Sequence, residues 1–212
     1  MMPYEKAVCQ DAGSRSNRRH RLVIDLDRCW GCQACEVACK KEHGLPPGAA
    51  AIRVVRVGPR LVKGRLRTAY VPCLCLHCKD PVCLVVCPLE AIEKGPCGEV
   101  RIVRERCTGC GRCAEVCPYG AIELGSDNQA VTKCDLCADR LSLGLPPSCL
   151  QHCEGRALAL LDEELFEQVR LRRYAWSTGI VAYISTELPA LGLALQPAET
   201  TTHKKTSIVT GR

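Results

Sequence analysis

Apolar positions fall in short runs, not long stripes. Leu22-Val-Ile-Asp-Leu26 and Val100-Arg-Ile-Val103 are β-rich runs, and each delivers the chain into a segment dense in cysteine. Leu89-Glu-Ala-Ile92 and Tyr119-Gly-Ala-Ile122 read as turns leading into further short strands. Gly95 with Gly98, and Gly125 with Asp127-Asn128, supply the hairpin turns that follow. Inside the cysteine segments, Glu36-Val37-Ala38 and Glu115-Val116 mark the first turns of short helices. The same order occurs twice, which makes it an internal repeat of one small unit.

The C-terminal part has a different pattern. Asp162-Glu-Glu164 reads as a helix start, followed by Leu165, Phe166, Val169 and basic residues to Arg173. Beyond lies an apolar stretch with Trp176, Ile180, Val181, Tyr183 and Ile184, then Leu188, Leu191, Leu193 and Leu195. Two readings stay open for it: a segment folded back over the cysteine-rich part, or a docking surface for another subunit. Its longest apolar stretch, Thr178 to Gln196, is broken by Glu187 and Pro189, so no membrane span is expected. The first 20 residues are polar and basic and have no apolar h-region. The Arg18-Arg19 pair is followed by only a short apolar patch before Asp25 and Asp27, and a cleaved export signal is not expected.

Composition changes the picture. Aromatic residues are 4% of the 212, with Phe166 the single phenylalanine, while cysteine occurs 19 times. That is thin material for a conventional core, so a group bound by sulfur must replace part of it. An odd cysteine number in a chain of this length speaks against a secreted disulfide scaffold.

Sixteen of the cysteines form four groups: Cys29, Cys32, Cys35 and Cys39; Cys75, Cys78, Cys83 and Cys87; Cys107, Cys110, Cys113 and Cys117; Cys134, Cys137, Cys149 and Cys153. Pro88 and Pro118 directly follow the second and third groups. Structural zinc sites usually take their ligands as two separated pairs. Three cysteines at successive +3 spacing and a fourth at +4 match instead the bacterial ferredoxin run, in which three thiolates hold one [4Fe–4S] cluster and the fourth holds its neighbour. A loop can wrap three sulfurs around one cluster with its backbone N–H groups turned inward. The fourth cysteine lies about one helical turn beyond the third and reaches away.

With Cys75-Leu-His-Cys78-Lys-Asp-Pro81-Val-Cys83 and Cys87-Pro88 in the second group, the order of the four groups resembles the four-cluster electron-transfer subunits of molybdenum and tungsten oxidoreductases, among them dimethyl sulfoxide reductase, formate dehydrogenase and polysulfide reductase. The resemblance runs from about Leu22 to Leu161. It implies an α+β fold of two ferredoxin-like domains with short antiparallel hairpins and short helices around the clusters, plus a C-terminal helical or extended segment. The resemblance implies domain A from 21–66 with 126–161, carrying groups one and four, and domain B over 67–125, carrying groups two and three; outside it, the residue pattern gives a flexible N-terminus over 1–20, a packing or docking segment over 162–198 and a mobile tail over 199–212. The implied ligand sets are Cys29, Cys32, Cys35 and Cys153 for the first cluster, and Cys75, Cys78, Cys83 and Cys117 for the second. The third takes Cys107, Cys110, Cys113 and Cys87, and the fourth Cys134, Cys137, Cys149 and Cys39. The resemblance also implies a non-catalytic relay, a large molybdopterin- or tungstopterin-containing partner subunit, and in some relatives a membrane anchor or soluble carrier. The lack of a leader favours the cytoplasm, while co-export with a signal-bearing partner keeps the periplasm open.

The formal charge of +6 needs rereading on that basis. A [4Fe–4S]2+ cluster with four thiolates carries −2, so four of them would bring the loaded chain to about −2. Arg28, Arg106, Arg112 and Lys133 sit beside or between the expected ligands, where each either raises a cluster's potential or is merely solvated. The basic surplus lacks the aromatic interleaving of a nucleic-acid surface, and no nucleic acid is expected. His77 and His152 adjoin ligands, but with every site already supplied they read as supporting or surface residues. Cys73 reads as a small packed residue, and Cys9 and Cys97 have no neighbouring base that would make either a nucleophile. No phosphate loop or hydrolytic triad is present. The alternatives are a polyferredoxin-type hydrogenase subunit, the partner of a tungsten aldehyde oxidoreductase, and, from a different class, a zinc-binding interaction module.

Overall fold

The computed structural model describes residues 20–125 and 131–186. The expectations for the termini and for the Asp127-Asn128 turn lie outside the described residues. None of the helices described is long and apolar enough to cross a membrane.

The run Leu22–Leu26 forms β1 (His20–Asp25), an inner strand of a four-stranded sheet. It lies antiparallel to β8 (Leu158–Asp162) and parallel to β10 (Val181–Ser185), with β9 (Tyr174–Ser177) at the outer edge beyond β10. Both faces of β1 are covered, which is why its apolar run is nearly continuous. Val23 packs with Phe166, Leu161 and Ala182 under α6 (Glu163–Arg170). Leu22 and Ile24 face the other way, into the core that holds the cysteine loops. The described part of the C-terminal stretch, up to Thr186, thus supplies strands to the central sheet. Arg173 ties it down, donating to Asp25 at 2.6 and 2.7 Å and to Asp27 at 2.6 Å. The hydroxyl of Tyr183 donates to the Pro72 carbonyl at 2.8 Å.

Asp162 caps α6 by accepting the Leu165 amide at 2.8 Å. Removing such a cap costs about 1 kcal/mol. Asp162→Ala is therefore expected to lower unfolding stability by about that amount and leave metal content unchanged, as checked by anaerobic denaturant unfolding beside iron analysis.

A long hairpin joins β2 (Ile52–Val62) to β3 (Arg65–Leu74) through Lys63-Gly64, both with positive φ, the signature of a tight hairpin turn. The division placed at 66/67 falls inside β3 of this hairpin. Two smaller hairpins follow the cysteine runs: β4 (Ile92–Lys94) with β5 (Val100–Ile102), turned at Gly95–Gly98, and β6 (Glu123–Leu124) with β7 (Val131–Thr132). The remaining helices are short: α1 (Ala34–Glu42), α2 (Val82–Val85), α3 (Arg112–Glu115), α4 (Ala138–Ser142) and α5 (Ser148–Gln151). The result is an α+β fold with small sheets around sulfur, which is how so few aromatic residues suffice.

Candidate metal centres

The four cysteine groups share a local conformation that the spacing only hinted at. The residue just before the second cysteine has a left-handed backbone in every group: Gly31 (φ 79°), His77 (48°), Gly109 (71°) and Leu136 (64°). The third cysteine is always the second residue of a short helix: Cys35 in α1, Cys83 in α2, Cys113 in α3 and Cys149 in α5, and all four are buried. After the last cysteine of groups two, three and four, the third residue is again left-handed (Glu90, Gly120, Arg156). The following alanine amide then donates to the cysteine sulfur: Ala91 to Cys87 at 3.3 Å, Ala121 to Cys117 at 3.5 Å, and Ala157 to Cys153 at 3.2 Å. His77 N and Leu136 N donate likewise to Cys75 and Cys134, at 3.5 and 3.4 Å. Left-handed turns of this kind aim N–H groups into a concavity suited to anionic sulfur.

Folding brings the groups together. Cys29, Cys32, Cys35 and Cys153 line one hollow, with Trp30 and Pro72 beside them. Cys87, Cys107, Cys110 and Cys113 line another, roofed by Ile92, Ile102 and Val131. Burial raises Cys78 and Cys83, the latter to about 11, and both thiols lie within electrostatic reach of Cys75 and Cys117. Burial, and then Cys137, push Cys39 up to about 12; Cys149 is raised by burial and by the adjacent Cys137 and Cys39. Cys134 is raised well above its ordinary range by burial and by Cys149. Cys35 reaches about 12 through burial, with Cys29 and Cys153 adding to it.

Crowded, desolvated thiols of this kind do not ionise unaided near neutral pH. A bound cation is what makes the thiolates favourable, since metal binding and thiol deprotonation are coupled. The donor set is sulfur alone, with amides aimed at the sulfurs, and it suits [4Fe–4S] clusters. Among the described cysteines, Cys97 alone is in a disulfide, and the other seventeen are free.

The remaining candidates separate. Cys73 is half-buried, its Sγ sits 3.5 Å from the Val71 carbonyl, and burial lifts it to about 11, so it stays a packed thiol. His152 is exposed, with Nδ1 2.9 Å from the Ser148 carbonyl. His77 is 1% exposed; its Nδ1 accepts the Val100 amide at 2.8 Å, while its Nε2 has no partner among the described residues. Burial, then Lys133 and Lys94, push His77 well below the usual imidazole range. Arg28 is exposed and donates to the Gly155 carbonyl, Arg106 pairs with Glu93, and Arg112 lies exposed. Lys133 alone of those four cations is buried.

The cysteine spacing does not single out His43. His43 Nε2 lies 3.4 Å from Cys137 Sγ and 3.6 Å from Asp135 Oδ1. Its place one helical turn beyond Cys39 was the available signal.

Comparison with known proteins accords with this geometry. A model of the 4Fe-4S dicluster domain matches residues 66–163. Among the relatives are the B subunits of two reductases. That of tetrathionate reductase from Salmonella typhimurium is 38% identical over 149 residues, covering 68% of this chain; the chain spans 58% of that protein's length. That of anaerobic dimethyl sulfoxide reductase from Escherichia coli is 36% identical over 147 residues, 66% of this chain and 72% of that one. The thiosulfate reductase electron transfer subunit of Salmonella typhi is 36% identical over 146 residues, 67% and 76%. Sulfur-lined hollows, a repeated loop conformation and relatives matched over most of their length together place this chain in the family of iron–sulfur, electron-transfer B subunits of the molybdopterin oxidoreductases.

Proposed function

We propose that the chain is a four-cluster electron relay, non-catalytic itself, working between a pterin-bearing catalytic subunit and an external redox partner. What supports this reading most is that one loop conformation recurs in four cysteine groups, with Cys29, Cys32, Cys35 and Cys153 lining one hollow and Cys87, Cys107, Cys110 and Cys113 another. The ligand sets are Cys29, Cys32, Cys35 and Cys153; Cys75, Cys78, Cys83 and Cys117; Cys87, Cys107, Cys110 and Cys113; and Cys39, Cys134, Cys137 and Cys149. When bound, each cluster supplies a one-electron site that cycles between 2+ and 1+.

The protein's own residues do the rest. The amides of Ala91, Ala121 and Ala157 donate to sulfur and stabilise added negative charge. Ile92, Ile102 and Val131 keep water from one side of the third set, and Val54, Pro72 and Leu158 line the first. Cys149 lies within electrostatic reach of Cys35, and Cys134 of Cys75. These neighbours support an order in space of first, fourth, second and third set. At the two ends of that order Cys32 and Cys110 are exposed, which suits the exchange of electrons with partners there. Groups one and four then form one ferredoxin-like half and groups two and three the other, joined between the fourth and second sets. Tetrathionate, dimethyl sulfoxide and thiosulfate reductase subunits among the relatives favour a partner that reduces a small oxidised sulfur compound.

Anaerobic purification followed by iron and sulfide analysis tests the reading. About 16 of each per chain is expected from four cubic clusters. Several zinc ions without sulfide would overturn it.

A further inference from the structure

Lys133 follows β7 and directly precedes Cys134, yet its side chain is turned inward and the residue is 8% exposed. Its Nζ donates to the Cys134 carbonyl at 2.6 Å and, more closely still, to the carbonyl of Val100 in β5. The amide of the same Val100 donates to His77 Nδ1, in the loop between Cys75 and Cys78. One ammonium thus clasps the loop of group four to the strand that supports the loop of group two. No carboxylate among the described residues pairs with it. A buried ammonium is costly unless an anion answers it. The anions on offer are the cysteine sulfurs of the two loops it ties together: that of Cys134, whose carbonyl it holds, in the fourth set, and the Cys75–Cys78 loop, reached through Val100 and His77, in the second. The loops of the second and fourth sets therefore meet at this point.

We propose that Lys133 is a counter-charge shared by the second and fourth cluster sites, raising the reduction potentials of both and so smoothing electron passage across the junction of the two halves. This rests on the four-cluster reading and adds to it the residue that couples its two inner sites. A fixed positive charge in a low-dielectric setting stabilises the more negative, reduced form of any cluster beside it. One charge between two sites moves both in the same direction.

The test is an EPR-monitored redox titration of the anaerobically purified, cluster-loaded chain, with any subunits that copurify, as wild type, Lys133→Gln and Lys133→Arg. Lys133→Gln keeps a hydrogen-bond donor and loses the charge. Two of the four midpoint potentials should fall together while the other two hold, and Lys133→Arg should keep all four near wild type. A fall in one potential alone, or in none, overturns the shared role. If Lys133→Gln fails to retain iron, Lys133→Arg decides: full iron in the arginine variant upholds the need for charge, and equal loss in both makes Lys133 a packing residue. Failure of the four-cluster reading is separable, since it shows as low iron and sulfide in the wild type.

Discussion

Cys39→Ser is expected to abolish the cluster shared with Cys134, Cys137 and Cys149, and to spare the one held by its sequence neighbours Cys29, Cys32 and Cys35. Iron should fall from about 16 to about 12 per chain, one cubic cluster's worth. The cause lies in α1. Cys35 and Cys39 are one turn apart on this helix, and both are buried. Yet Cys35 lies close to Cys29 and Cys153, whereas Cys39 lies close to Cys137. Packing of α1 against α5, with Ser148 Oγ donating to the Ala38 carbonyl at 3.3 Å, fixes that split. The measurement is anaerobic EPR with iron analysis on Cys39→Ser, Cys137→Ser and Cys29→Ser. The first two should lose the same signal. If Cys39→Ser instead matches Cys29→Ser, the groups are not interlocked.

Gly31→Ala should destabilise the loaded chain far more than Gly120→Ala. Both residues have positive φ, 79° and 58°, where a side chain costs roughly 1–2 kcal/mol. At Gly120 a new Cβ meets nothing within 4 Å, and Glu90 and Arg156 already occupy the equivalent turn. At Gly31 the Cβ would run into the Tyr70 ring, and overpacking adds about 1–3 kcal/mol. A loss of about 2–5 kcal/mol is therefore expected for Gly31→Ala, against about 1–2 for Gly120→Ala. Because the Tyr70 contact presses on the loop between Cys29 and Cys32, the first cluster should also be the first to bleach on warming. Anaerobic unfolding followed at the cluster absorbance compares the two. Adding Tyr70→Ala to Gly31→Ala should recover the overpacking share and leave the backbone strain. Equal destabilisation by the two alanines would remove Tyr70 from the account.

Much of the site was legible because cysteine spacing is a local signal. The strands before groups one and three, the helix at Glu36, the Gly95–Gly98 turn and the Asp162 cap all lie where nearest-neighbour chemistry puts them, while the helix of group three, Arg112–Glu115, ends at Glu115 where a first turn was expected. The β2–β3 hairpin was not read. Its core-facing residues Ile52, Val57 and Val62 are separated by arginines and by a register shift between Val57 and Arg60, so no clean alternation shows. His43 was missed because its neighbour Cys137 is 94 residues distant along the chain. The two possible roles of the C-terminal stretch could not be separated without β1, since pairing of Leu22–Asp25 with Val181–Ile184 is a parallel match between chain ends.

The amino-acid sequence by itself determined that sulfur, not an aromatic core, organises this protein, that the sulfur comes in four repeated loops, and that the class of group bound is iron–sulfur. Those conclusions need only spacing and composition, which act over a few residues. Tertiary structure alone decided that β8 and β10 flank β1, and that Lys133, among four cations near cysteines, is the buried one. Such outcomes depend on contacts between segments far apart in the chain, where burial and charge are set by whatever folds alongside and no local pattern records the partner.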